Sequence, residues 1–167
     1  WKTVVAPHDH MSALVATPTS WTQWSALASL EKYAKRNEVS GMITGVGASW
    51  LLANEKGSIQ ASITSFEPAA RVSYDLLIDR LKIPIKGTVD FYNRGRTTKV
   101  KWSLKVDVGQ HLGLRWLGFL AKNVVKSHYQ DAIGRLGVIA AERAYQESQD
   151  ALAAEEARLI GKQAKDD

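Results

Sequence analysis

The pattern of apolar and polar positions changes character twice along the chain. Residues 98–108, TKVKWSLKVDV, alternate: Val100, Trp102, Leu104, Val106 and Val108 take one face, and Lys99, Lys101, Ser103, Lys105 and Asp107 the other. That period belongs to a strand with one wall buried and one wet. ARVSYDLLID, residues 70–79, repeats it, with Val72, Tyr74, Leu76 and Ile78 against Ser73, Asp75 and Asp79. The pattern predicts five strands over about 43–55, 58–67, 70–80, 84–93 and 96–108, separated by the turn signals NEKGS, EPAA, LKIP and NRGR. Short turns join sequential strands as hairpins, so the sheet is antiparallel. WKTVVA at the start is one more short strand, stopped by Pro7.

Two short helices fit between that strand and the rest. In residues 8–16, HDHMSALVA, Met11, Leu14 and Val15 share a helical face. TPTSW breaks this helix, Thr17 or Ser20 can cap the next, and a second short helix covers part of 19–30. EKYAKRNEVSG, residues 31–41, reads as a polar connection. After Gly113 the period becomes that of a helix: Leu117, Leu120, Ala121, Val124, Val125, His128, Ala132, Leu136, Ile139 and Ala140 form one stripe from about 114 to beyond 140. The remainder is rich in Ala, Glu, Gln and Lys. It is read as a projecting helical extension to about residue 160, or else a frayed tail.

Six to seven antiparallel strands and one long amphipathic helix must cover each other. A sheet of that width twists, so it curls around the helix and leaves a hollow between them. The expected organisation is a ligand-binding domain over residues 1–142 and a helical or frayed extension over 143–167.

Composition narrows the function classes. The chain has 167 residues, 45% hydrophobic and 23% charged, with a net charge of +5 and no cysteine. Disulfides and thiolate metal sites are excluded. No apolar run is long enough for a transmembrane helix. A cytoplasmic location is favoured, although the chain begins at Trp1 and an upstream signal or anchor remains compatible with it.

Several stretches, taken in order, match one family. VVAPHDHMSALVATPTSWTQW resembles its opening: a strand, Ala-Pro, a helix, then Pro-x-x-Trp-x-x-Trp. GVGASWLL resembles its Gly-x-Gly strand start. ITSFEPAARVSYDL resembles its Pro-containing hairpin, GTVDFYNRGRTTKVKWSLKV its following hairpin with Thr-x-Val-x-Trp, and YQDAIGRLGVIAAE the end of its long helix. The sequence resembles the START-like (SRPBCC) superfamily, most closely the bacterial polyketide cyclase/dehydrase-type branch, over residues 2–142. HDH after Pro7 departs from the family, as does the tail.

The resemblance implies an α+β helix-grip fold. It also implies binding, or binding and transport, of a hydrophobic small molecule or lipid between sheet and helix. The alternative is cyclase, aromatase or dehydratase chemistry in the same cavity. The inward strand and helix faces name the lining: Trp50, Ile63, Tyr74, Leu76, Val89, Phe91, Val100, Trp102, Leu104, Leu117, Leu120 and Val124. Tyr74, Asn123 and His128 supply polarity there. His128 and Tyr74 are the candidate catalytic groups, though His128 reads better as a core or helix-edge histidine, and no convergent acid–base pair supports chemistry. Leu114, Trp116 and Phe119 are candidates for a cavity entrance in transient contact with membrane.

The other constellations favour plain structural roles. His8, Asp9 and His10 sit at a helix start where alternate side chains diverge, so capping by Asp9 outweighs metal binding. No metal or cofactor is expected. Lys99, Lys101 and Lys105, with Arg94 and Arg96, make a basic stripe without interleaved aromatics, which reads as a solvated sheet exterior and not a nucleic-acid surface. Gly41, Gly45 and Gly47 lead into a strand, which excludes a phosphate loop and suggests curvature or a bulge. Trp21 and Trp24 read as a wedge closing one end of the grip, Trp21 in the core and Trp24 near the cavity rim. Monomer and dimer both remain open.

Overall fold

The computed structural model describes residues 1–27, 31–55, 57–79, 83–106 and 112–166, without the side chains of residues 83, 112–125 and 160–166. Strand β1 is Lys2–Val4, helix α1 His8–Val15 and helix α2 Trp21–Trp24, the last entered through a 3-10 turn at Pro18–Ser20. Strands β2 (Arg36–Gly41), β3 (Ala48–Asn54), β4 (Gly57–Glu67), β5 (Arg71–Ile78), β6 (Ile83–Arg94) and β7 (Thr97–Val106) follow, and helix α3 spans Leu112–Asp166.

The strands form one antiparallel seven-stranded sheet in the order β1-β7-β6-β5-β4-β3-β2. β2 to β7 are a meander. The chain therefore crosses from one edge of the sheet to the other through α1 and α2, which lie against α3. A register shift between Ile63 and Ser65 puts a bulge in β4, a device that bends a strand and increases its twist. The concave face carries the core: Ala61, Ile63, Val72, Tyr74, Val89, Phe91 and Val100 from the sheet meet Met11, Leu14 and Val15 of α1 and Ala132, Ile133, Leu136 and Ala140 of α3.

Two sequence expectations change. Residues 36–41 are a strand and not a connection: β2 pairs with β3 along its whole length. All six of its residues are exposed, so no buried face imposes the alternation by which a strand is recognised. The neighbouring strand begins at Ala48, not near residue 43. Gly41, Gly45 and Gly47 all have positive φ, at 72°, 79° and 87°, and turn the chain between β2 and β3 instead of bulging a strand. Gly41 has no room for a side chain, since a Cβ there would lie 2.3 Å from the carbonyl oxygen of Gly47.

The extension past residue 142 is helical. Residues 145–159 are exposed throughout, and the segment is tied back near its base. His10 Nε2 lies 3.0 Å from Glu147 Oε2, and Arg143 donates to Gln23 at 3.3 Å. Among the described residues no helix is long and apolar enough to cross a membrane.

Candidate functional site

Trp21 and Trp24 occupy their places because the last turn of α1 leaves carbonyl oxygens without helical partners. Ser20 Oγ donates to the carbonyl of Leu14 at 2.6 Å, and the Trp21 indole N–H donates to that of Val15 at 2.9 Å. The Trp24 indole donates to Ser20 Oγ at 3.2 Å. Thr17 Oγ1 and the Gly45 amide serve the carbonyls of Ala13 and Ala16. Both indoles are thereby buried with their N–H groups satisfied, as a buried tryptophan requires. Neither Thr17 nor Ser20 makes the expected N-terminal capping bond.

The two rings form one wall of a cavity of about 240 Å³. Leu27 continues that wall, Tyr74 and Leu76 of β5 and Trp102 of β7 form the sheet side, and Tyr129 and Ala132 of α3 form the helix side. The aromatic residues make a continuous chain. Trp21 meets Trp24 at 6.1 Å and Tyr74 at 4.7 Å, Trp24 meets Trp102 at 5.7 Å, and Trp102 meets Tyr129 edge-on at 4.4 Å. Tilted and edge-on contacts at such separations are the favoured aromatic geometries.

Tyr74 is the polar group at the centre. Its ring lies across Gly87, its direct partner on β6. Its hydroxyl accepts the Trp102 indole N–H at 2.7 Å, which leaves the phenolic proton free to donate. Burial, together with nearby Tyr129, pushes the Tyr74 phenol well above its ordinary pKa, against the opposing effect of the Trp102 bond. Burial raises Tyr129 as well. Both phenols are neutral donors at physiological pH.

Of the lining named from the sequence, Tyr74, Leu76 and Trp102 face this cavity, and Leu104 faces an adjoining groove. Trp50, Ile63, Val89, Phe91 and Val100 are buried away from it. The side chains of Leu117, Leu120, Asn123 and Val124, and of the proposed entrance residues Leu114, Trp116 and Phe119, lie outside the described residues. His128 is not in the core. It is exposed and contributes to the cavity rim, while Tyr129 and Ala132 turn inward. Sequence reasoning passed over Tyr129, yet Tyr129, Ala132 and Leu136 recur at helical spacing, and that row carries the inward face.

Trp24 is as deeply placed as Trp21, at 1% and 4% exposure, so both are core residues and cavity wall at once. Asp9 accepts the His10 amide at 2.9 Å, and its carboxylate oxygen lies 3.1 Å from His10 Nδ1. No group of three side chains able to hold a metal occurs among the described residues. The basic stripe is not free of aromatics: Trp1 brings its ring to 4.5 Å from Lys99 Nζ and 5.5 Å from Lys101 Nζ, beside Tyr92 at 5.3 Å. Neighbouring strands supply those rings, which alternation within β7 alone could not reveal.

No family model matches the sequence, and no curated protein is similar to it. Solved structures do match. The chain is similar to protein jhp0584 from Helicobacter pylori, at 9% identity over 83% of this chain and 84% of that one, with a TM-score of 0.59. It is similar to Ara h 8.0201 at 12% identity over 83% and 92%, with a TM-score of 0.56. DynU16, from the dynemicin biosynthetic locus, matches at 18% identity over 81% of this chain and 44% of that longer one, with a TM-score of 0.51. At these identities the likenesses are of fold.

Proposed function

The chain has the helix-grip fold of the START-like superfamily, and on that premise we propose that it binds a small hydrophobic molecule with a ring system, held between sheet and helix. The observation that carries this reading is the cavity lining: the five aromatic side chains of Trp21, Trp24, Tyr74, Trp102 and Tyr129, aliphatic Leu27 and Leu76, and the deeply buried hydroxyl of Tyr74, whereas that of Ser25 already accepts the Leu27 amide. Apolar cavities of about 150 Å³ hold a benzene ring. A space of about 240 Å³ therefore suits a ligand body of one to two rings, with a carbonyl or hydroxyl placed to accept the Tyr74 proton. Each well-oriented ring pair adds about 0.5–1.5 kcal/mol beyond area burial.

Cyclase or dehydratase chemistry needs an acid or base beside the ligand. The described lining contains no carboxylate, and its imidazole, His128, is at the exposed rim. Binding, with or without transport, is the reading this lining favours.

The test is titration with the neutral two-ring probe 1-naphthylamine, whose emission shifts to the blue in apolar surroundings. A saturable blue shift at one probe per chain is expected for the wild type. Ala132→Leu, which grows a side chain into the space from the helix side, should abolish it while circular dichroism still reports the folded chain. No response from the wild type, or equal binding by A132L, would overturn the proposal.

A further inference from the structure

We propose that the bound molecule is an amphipathic anion: its ring system occupies the aromatic cavity, and its acidic group lies in the adjoining groove beside Lys126. This rests on the binding role above and specifies the ligand of that site. The groove, of about 390 Å³, lies on the other side of the Trp102–Tyr129 pair, and both side chains line both spaces. Their edge-on contact at 4.4 Å is thus the seam between the two. A ligand that occupies both spaces must therefore turn the half-buried Tyr129 ring aside.

The two compartments differ in chemistry. The inner one is walled by rings, and among its described lining residues no Lys or Arg stands beside an ionised group that would lose its water there. The outer one keeps apolar walls in Trp102, Leu104 and Ile133, but adds the exposed ammonium of Lys126 and the Gln130 side chain. Among the described residues none that lines it is acidic; Asp131 is next to Gln130 in sequence and exposed, but is not part of that lining. Trp1 also lines this groove, and it holds Lys99 and Lys101 over its ring. Lys2 reaches the same stretch of α3, where its Nζ donates to the Gln130 carbonyl at 2.5 Å. Positive charge therefore gathers at the outer end of an otherwise apolar path, and a molecule with one acidic end can lie along it in one direction only.

Two probes with the same two-ring skeleton separate the possibilities: neutral 1-naphthylamine and its sulfonated analogue, 5-amino-1-naphthalenesulfonate. The full chain is titrated with each, as wild type and as Lys126→Glu, at low and at high salt. The sulfonate should bind the wild type more tightly than the neutral probe, and added salt should weaken it. Lys126→Glu should weaken the sulfonate about fivefold or more, the range open to a surface charge pair that becomes a repulsion, and leave the neutral probe within twofold. Binding of the neutral probe with an equal or weaker affinity for the sulfonate overturns the inference and leaves the binding role standing. So does a sulfonate affinity unmoved by K126E. Binding of neither probe overturns both.

Discussion

Replacing Gly87 with alanine probes how Tyr74 is held. A Cβ built on Gly87 would lie 2.0 Å from Cζ of Tyr74, 2.4 Å from its hydroxyl oxygen and 2.5 Å from Cε1. Ordinary carbon–carbon contact is about 3.5 Å, so the ring must move by about 1.5 Å. That shift breaks the 2.7 Å bond from Trp102. Overfilling a core site costs about 1–3 kcal/mol, and the lost hydrogen bond about 0.5–1.5 kcal/mol more. Together they give about 1.5–4.5 kcal/mol, and a change near 3 kcal/mol lowers the thermal midpoint by about 6–12 °C at this chain length. The three atoms that clash are all absent from leucine. In a Tyr74→Leu background the cost of G87A should therefore vanish, or become a gain of up to about 1 kcal/mol, because a strand glycine is entropically unfavourable. In a Tyr74→Phe background Cζ and Cε1 remain, so most of the cost should persist. Urea denaturation of the six proteins completes the two cycles. A cost below about 0.5 kcal/mol in the wild type, or an equal cost in all three backgrounds, would refute the reasoning.

Ser12→Ala removes a hydroxyl that donates to the Asp9 carbonyl at 2.8 Å and accepts the Ala69 amide at 2.9 Å, joining α1 to the β4–β5 turn. The loss should be about 1–2 kcal/mol by denaturant titration, and a loss under about 0.3 kcal/mol would show the bond to be replaceable by water. His10 has its pKa raised above 6.5: burial opposes its charge, but hydrogen bonds to Asp9 and Glu147 outweigh that. A group raised on folding contributes fully below its unfolded value of about 6.5 and loses that contribution as pH rises through its folded value. The opposite shift of Asp9, downward chiefly through its bond to His10, matters only in stronger acid. Stability should thus fall slightly between pH 6 and 8.5, by less than about 1 kcal/mol because the contact is largely exposed. His10→Gln should flatten that slope, and an unchanged slope in H10Q would assign it elsewhere.

Sequence alone carried the architecture. A strand with one wet face must alternate, and a helix covering a sheet must show an apolar stripe, so β5, β7 and α3 were readable from local pattern. The place of Trp21 and Trp24 between the first strand and the rest of the sheet suggested a wedge with Trp24 near the cavity rim, whereas both indoles are buried. Where burial did not impose a period, the pattern was silent: β2, exposed on both faces, is held by pairing with β3 and by the Trp50 indole donating to Asn37 at 2.5 Å. The site depended on tertiary structure for a related reason. An inward-facing residue can fill the core or line a space, and periodicity treats the two alike. Trp50, Ile63, Val89, Phe91 and Val100 became core, while Tyr74, Leu76 and Trp102 met the cavity. That division follows from where the sheet curls away from α3 and where α2 wedges between them, which depends on contacts between residues far apart in the chain. The same holds for His10 and Glu147, 137 positions apart, and for Lys126 beside Trp102. Local order settles which face of an element is apolar; only the folded chain settles what that face meets.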